Sequence, residues 1–151
     1  MLRSVLLVSH IAAGAAGLLI GPAAMAAALG DRRDTRSARA YRVAVAVLTA
    51  TAAGLVALNP TLWPFLLLAA GTEAAVLMAR TAGPVDRHVR LVCGSYVSLV
   101  TALLVVSWGS IAAWVLPTVV GTVLVERAAA STRRPRPART PSRIRRPSSP
   151  R

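Results

Sequence analysis

The chain has no lysine; all eighteen of its cationic residues are arginine. Acidic residues number only five, and the aromatics are three Trp, two Tyr and one Phe. Charged residues make up 15% of the 151, against about 25% in soluble domains, which argues against an ordinary water-facing surface. Cysteine occurs once, at Cys93, so an internal disulfide and a cysteine zinc site are excluded; the residue reads as a small buried apolar group. No Walker loop, dinucleotide fingerprint, nucleophile elbow or HExxH pair occurs. No metal ligand set and no catalytic residue is predicted, and the balance leans away from an enzyme.

Long apolar runs are what the chain has instead. They cover Val5 to Leu29, Val43 to Leu58, Leu62 to Ala79, Leu91 to Trp108 and Ile111 to Val125. A helix needs about 20 apolar residues to cross a bilayer, within a range of about 17–25. The second and fifth runs are short and need help from their flanks. No alternating pattern or hairpin signal suggests strands. The expected fold is all-α and polytopic: a five-helix transmembrane domain over 1–128, with helices near 4–29, 41–58, 62–80, 90–108 and 110–126, followed by a basic tail over 129–151.

The connections between runs alternate in charge. "GDRRDTRSARAYR" carries five Arg, "NPTLW" none, "ARTAGPVDRHVR" three and "SWGS" none, and the tail is rich in Arg. Under the positive-inside rule this orders five spans with the N-terminus outside and the C-terminus in the cytoplasm of a plasma membrane. Seventeen of eighteen Arg then share one side, with Arg3 the exception. Trp63, Trp108 and Tyr41 stand near run ends, where amphipathic rings favour the headgroup level. The first run also has the outline of a signal peptide: Arg3, an apolar stretch, Pro22, then small residues. Its removal would strand the five Arg of the first loop outside, and His10 sits oddly in a signal core, so a retained first helix is the preferred reading.

Helices in lipid associate through close approach and hydrogen bonds, which favours small residues at contacts. His10, Gly14, Gly17, Gly21 and Ala24 share one face of the first helix, and Gly17 and Gly21 form a GxxxG pair. The reading prefers packing within the chain over dimerisation. It leaves His10 either a structural histidine bonded to a neighbour, or a haem ligand, quinone partner or proton acceptor. Pro22 and Pro117 fall inside runs, and Thr118 and Thr122 stand near enough to Pro117 to help satisfy the carbonyl it frees. Tyr96 lies between one and two turns inside the basic boundary and needs a hydroxyl partner there. His88 falls in the second charged loop, where a solvated histidine is the preferred reading; with Glu73, His10 and Tyr96 it completes the candidate functional polar residues.

The third run contains "LLLAAGTEAAVL", with Glu73 in its middle. An acidic side chain at a helix centre costs roughly 2.5–3.5 kcal/mol on insertion scales, and each Leu, Phe or Val returns about 0.3–0.6 kcal/mol. Leu62, Phe65, Leu66, Leu67, Leu68, Val76 and Leu77 keep insertion feasible. At about 1.5 Å per residue, His10 lies about 9 Å and Glu73 about 16 Å from the outer edge, and Tyr96 about 8 Å from the inner one. The three make a stepped polar line if helices one, three and four are neighbours. Arg80, two turns along, is expected to snorkel to the boundary. Two readings of Glu73 stay open: a protonated group that fixes helix register, or a functional carboxylate.

The tail "STRRPRPARTPSRIRRPSSPR" has eight Arg and five Pro. With almost nothing apolar to bury it is expected to be disordered. Its charge should attract anionic lipid headgroups, at about 1 kcal/mol per basic residue near the surface; nucleic acid is the less favoured ligand. Ser148 and Ser149, beside Arg145 and Arg146, are candidate phosphorylation positions that would weaken the lipid contact.

"HVRLVCGSYVSLVTALLVV", from His88 to Val106, resembles part of a family of uncharacterised bacterial multi-pass membrane proteins, through His88, Ser95, Tyr96, Thr101 and Ala102. "WVLPT" and the style of the first helix, with His10 and "GPAAM", extend the resemblance over roughly residues 5–127. It implies a membrane location and topology and no activity. Three functions follow as expectations: a non-enzymatic membrane component that packs with a membrane-protein partner or as a homo-oligomer; a haem- or quinone-associated protein using His10; and a small proton-coupled carrier using Glu73.

Overall fold

The computed structural model describes residues 1–132. Its α-helices are α1 (Leu2–Leu29), α2 (Arg36–Leu58), α3 (Trp63–Thr81), α4 (Val85–Trp108) and α5 (Ile111–Thr132), with a 3-10 turn over Pro60–Leu62 before α3. No strand occurs among the described residues. All five helices, α3 taken with its leading turn, are long and apolar enough to cross a membrane.

Local chemistry sets the helix ends. The Thr35 hydroxyl accepts from the Ala38 N–H at 3.1 Å, a side-chain cap that satisfies an orphan donor. It starts α2 at Arg36, ahead of its apolar run, and a basic first turn brings this helix to 23 residues. Gly109 takes the left-handed conformation at φ 59°, and its N–H bonds Val105 O at 2.9 Å, the usual device for stopping a helix. The α5 helix runs on through Thr132, so residues 129–132, expected at the start of the tail, are helical. Ala129 is held there by burial against Ala28, Val89 and Cys93. The disorder expected of the remaining tail lies outside the described residues.

The first four helices close a ring. On one side α1 packs on α2 and α4, and opposite it α3 packs on the same two; no Cα pair between α1 and α3 comes within 8 Å. The α5 helix lies against α4, with a minor contact to α1. Ala24, Tyr41, Val45, Val76 and Leu99 fill the ring. Large apolar side chains such as Val8, Leu19, Leu67, Leu103 and Leu124 point outward, the reverse of a soluble bundle and what a hydrocarbon solvent permits. Trp63 and Trp108 are also exposed, at the ends that carry no charge.

The small face of α1 is used inside this ring. A Cβ at Gly14 would stand 3.3 Å from Leu48 Cδ1, one at Gly17 3.3 Å from Leu99 Cδ1, and one at Gly21 would overlap the Tyr96 ring. Glycine there lets α1 approach α2 and α4 together.

Candidate functional site

The interior polar groups hydrogen-bond across helix pairs. His10 Nδ1 lies 3.2 Å from Leu48 O and 3.0 Å from Thr51 Oγ1. A carbonyl only accepts, and the single Thr51 hydroxyl proton goes to the carbonyls of Val47 and Leu48 at 2.8 and 2.9 Å. Nδ1 is therefore the donor in these contacts. Tyr41 and Ser95 pair at 3.0 Å between α2 and α4. Because the Ser95 hydroxyl donates to Val92 O at 2.8 Å, Tyr41 is the donor of the pair.

Tyr96 donates to Leu18 O at 3.3 Å. Leu18 stands four residues before Pro22, which has no N–H to return to it. The α4 tyrosine thus satisfies the carbonyl that the α1 proline frees, and Gly21 makes room for its ring. The parallel expectation at Pro117 does not hold. Thr118 and Thr122 donate to Trp114 O and Thr118 O, each at 2.7 Å. Neither reaches Ala113, because a helical threonine hydroxyl folds back on its own i−4 carbonyl.

His88 corrects the sequence reading. It is not a solvated loop residue: it occupies the first turn of α4, is 5% exposed and donates from Nδ1 to Ala79 O at 2.8 Å. That carbonyl belongs to the last turn of α3, where backbone acceptors have no partner within the helix.

Glu73 differs from these groups. It is half-buried on α3, and its Oε2 is shielded from solvent with no hydrogen-bond partner among the described residues. Ala70, Ala74 and Leu77, beside it at i−3, i+1 and i+4, are exposed. The stepped line of His10, Glu73 and Tyr96 is not assembled: His10 bonds α2, Tyr96 bonds α1, and α1 and α3 sit across the ring from each other.

The basic connections meet at one end of the bundle. Arg33 donates to Ala82 O and, at 3.0 Å, to Gly83 O, tying the α1–α2 connection to the α3–α4 connection, while its Nε pairs with Asp31 at 3.2 Å. Arg42 lies 3.7 Å from Asp34, and Arg90 joins α4 to α5 through Glu126 at 2.8 Å. A cleft lined by Arg33, Tyr41, Arg42, Arg80 and His88 encloses about 20 Å³, room for about one water and nothing larger. No group of three or more metal-ligating side chains occurs among the described residues. Cys93 is buried and unpaired.

These features define a class, an all-α polytopic membrane protein whose interior polar groups serve mainly to join helices. No family model, no curated protein and no solved structure matches the chain.

Proposed function

We propose that the chain is a non-enzymatic component of a bacterial plasma membrane that packs, through the Glu73 side of α3, against another membrane-embedded polypeptide. One observation carries the reading. His10, Tyr41, Ser95, Tyr96 and His88 are hydrogen-bonded within the chain, whereas Glu73 Oε2 is sequestered without a partner beside exposed small residues. An unsatisfied polar group in hydrocarbon is costly; turned outward over the exposed Ala70 and Ala74, the Glu73 carboxyl would meet a donor on a closely packed neighbouring helix. The N-terminus lies outside and the C-terminus in the cytoplasm in this reading, supported by the gathering of Arg33, Arg42 and Arg90 at one end; the basic tail then meets anionic headgroups. Gentle extraction should yield a stoichiometric complex with a second membrane protein that dissociates in Glu73→Leu. A monomer with no associated polypeptide rejects the reading, and a complex of identical chains makes the partner a second copy.

A second reading is favoured by His10 alone. In a neutral ring, donation from Nδ1 leaves the Nε2 lone pair available, the arrangement that orients ligating histidines. A Soret band lost in His10→Ala would establish a haem; protein with neither that band nor a bound quinone removes the reading.

A further inference from the structure

On the outer face of the ring, away from Glu73, a groove of about 550 Å³ runs between α1 and α2. Its α2 wall starts with Arg36 and Arg39 and continues through Val43 and Val47; on the α1 side Ala12, Ala16 and Ile20 line it. The helical spacing explains the shape. Arg36, Val43 and Val47 recur at i, i+7 and i+11, and Ser9, Ala16 and Ile20 repeat that interval on the antiparallel helix. Alanines hollow the middle, and larger side chains flank it.

We infer that this groove seats one anionic phospholipid, its phosphate on Arg36 and Arg39 and one acyl chain along the alanine-lined floor. Length supports this. Arg36 and Val47 are eleven residues apart, about 16 Å of helix rise, close to the roughly 15 Å depth of one leaflet of a 30 Å hydrocarbon core. Charge supports it independently. Neither arginine has a carboxylate within ion-pair distance among the described residues, and no acidic side chain lines the groove. Guanidinium groups bind phosphate oxygens with two parallel hydrogen bonds. A second copy of the chain is the poorer occupant. A twofold dimer would face this surface with itself and set Arg36 and Arg39 against their own images at the same depth, which like charge opposes. The inference needs the chain to lie in a bilayer; it does not depend on Glu73 or on a partner at α3.

Full-length protein in bilayers, probed with spin-labelled phosphatidylglycerol and phosphatidylcholine, tests it. At about 1 kcal/mol per basic residue, the two arginines should favour the anionic lipid by roughly thirtyfold. Arg36→Gln with Arg39→Gln should lower that preference at least tenfold while the tail, unchanged in every variant, keeps its own contribution. Ala12→Trp and Ala16→Trp leave every arginine in place and should remove one motionally restricted lipid per chain, with helicity preserved by circular dichroism. Equal association of the two lipids, a preference that survives both sets of changes, or a dimer whose contact seals the groove would each overturn the inference.

Discussion

Tyr96 and Pro22 illustrate how single residues answer one another across this bundle. A proline inside a membrane helix leaves a carbonyl without its donor, and here a side chain from another helix supplies one. Removing that hydroxyl with Tyr96→Phe should destabilise the fold by about 0.6 kcal/mol, the average for interhelical hydrogen bonds in membranes, and by no more than about 1.7 kcal/mol. In a Pro22→Ala background the backbone N–H returns and the same change should cost markedly less. Equilibrium unfolding of the four proteins of this cycle measures the coupling, and equal costs in both backgrounds would refute the assignment. The Tyr41–Ser95 pair should behave asymmetrically. Ser95→Ala leaves a buried phenol donor unpaired, a loss of about 1–3 kcal/mol. Tyr41→Phe leaves Ser95 still donating to Val92, so its cost should be the smaller of the two; the reverse order in unfolding experiments would reassign the donor. Neither partnership was legible in the sequence. Tyr41 stood out only as an aromatic at a run end, although Tyr41, Val45, Leu48 and Ala52 repeat at the spacing of a buried stripe. His88 was misread because a charged neighbourhood in sequence did not reveal the α3 carbonyl waiting for it.

Helix packing turns on where glycine is crowded and where it is not. A Cβ at Gly121 would overlap Val97, whereas Gly94 has no atom within 4 Å of that position. Gly121→Ala should therefore push α5 from α4 at about 1–3 kcal/mol, the usual cost of overpacking, and Val97→Ala should restore most of it. Gly94→Ala should instead stabilise α4 by about 0.5–1 kcal/mol, because a mid-helix glycine carries an entropic penalty relative to alanine. The two single variants, compared by thermal or detergent unfolding, should move in opposite directions; a shared sign would mean that the α4–α5 contact is not as close as described. The sequence did show which face of α1 is small, since 3.6-residue periodicity aligns His10, Gly14, Gly17 and Gly21. It did not show which helices that face meets. It also missed the start of α2, where a threonine cap draws a basic turn into the helix ahead of the apolar run.

For the whole molecule, orientation is the accessible test. Thr61, in the connection between α2 and α3, lies among residues without charge. In a Cys93→Ala background, Thr61→Cys should react with a membrane-impermeant maleimide applied to intact cells, and a fluorescent protein fused after the tail should fold and fluoresce inside. Labelling only after permeabilisation would invert the proposed topology. The sequence by itself determined that the fold is helical, that five stretches are long and apolar enough to cross a bilayer, and that the basic connections belong to one end. Those properties are sums along the chain: hydropathy over about 20 residues and charge between them. Only the tertiary structure decided that α1 and α3 face each other across a ring, with no Cα pair between them within 8 Å. That placement sets Glu73 across the ring from His10, and the α1–α2 pairing leaves an open groove below Arg36 and Arg39. Neighbour choice between helices depends on which small surfaces meet, and in a solvent as apolar as the helices themselves hydropathy does not distinguish one pairing from another.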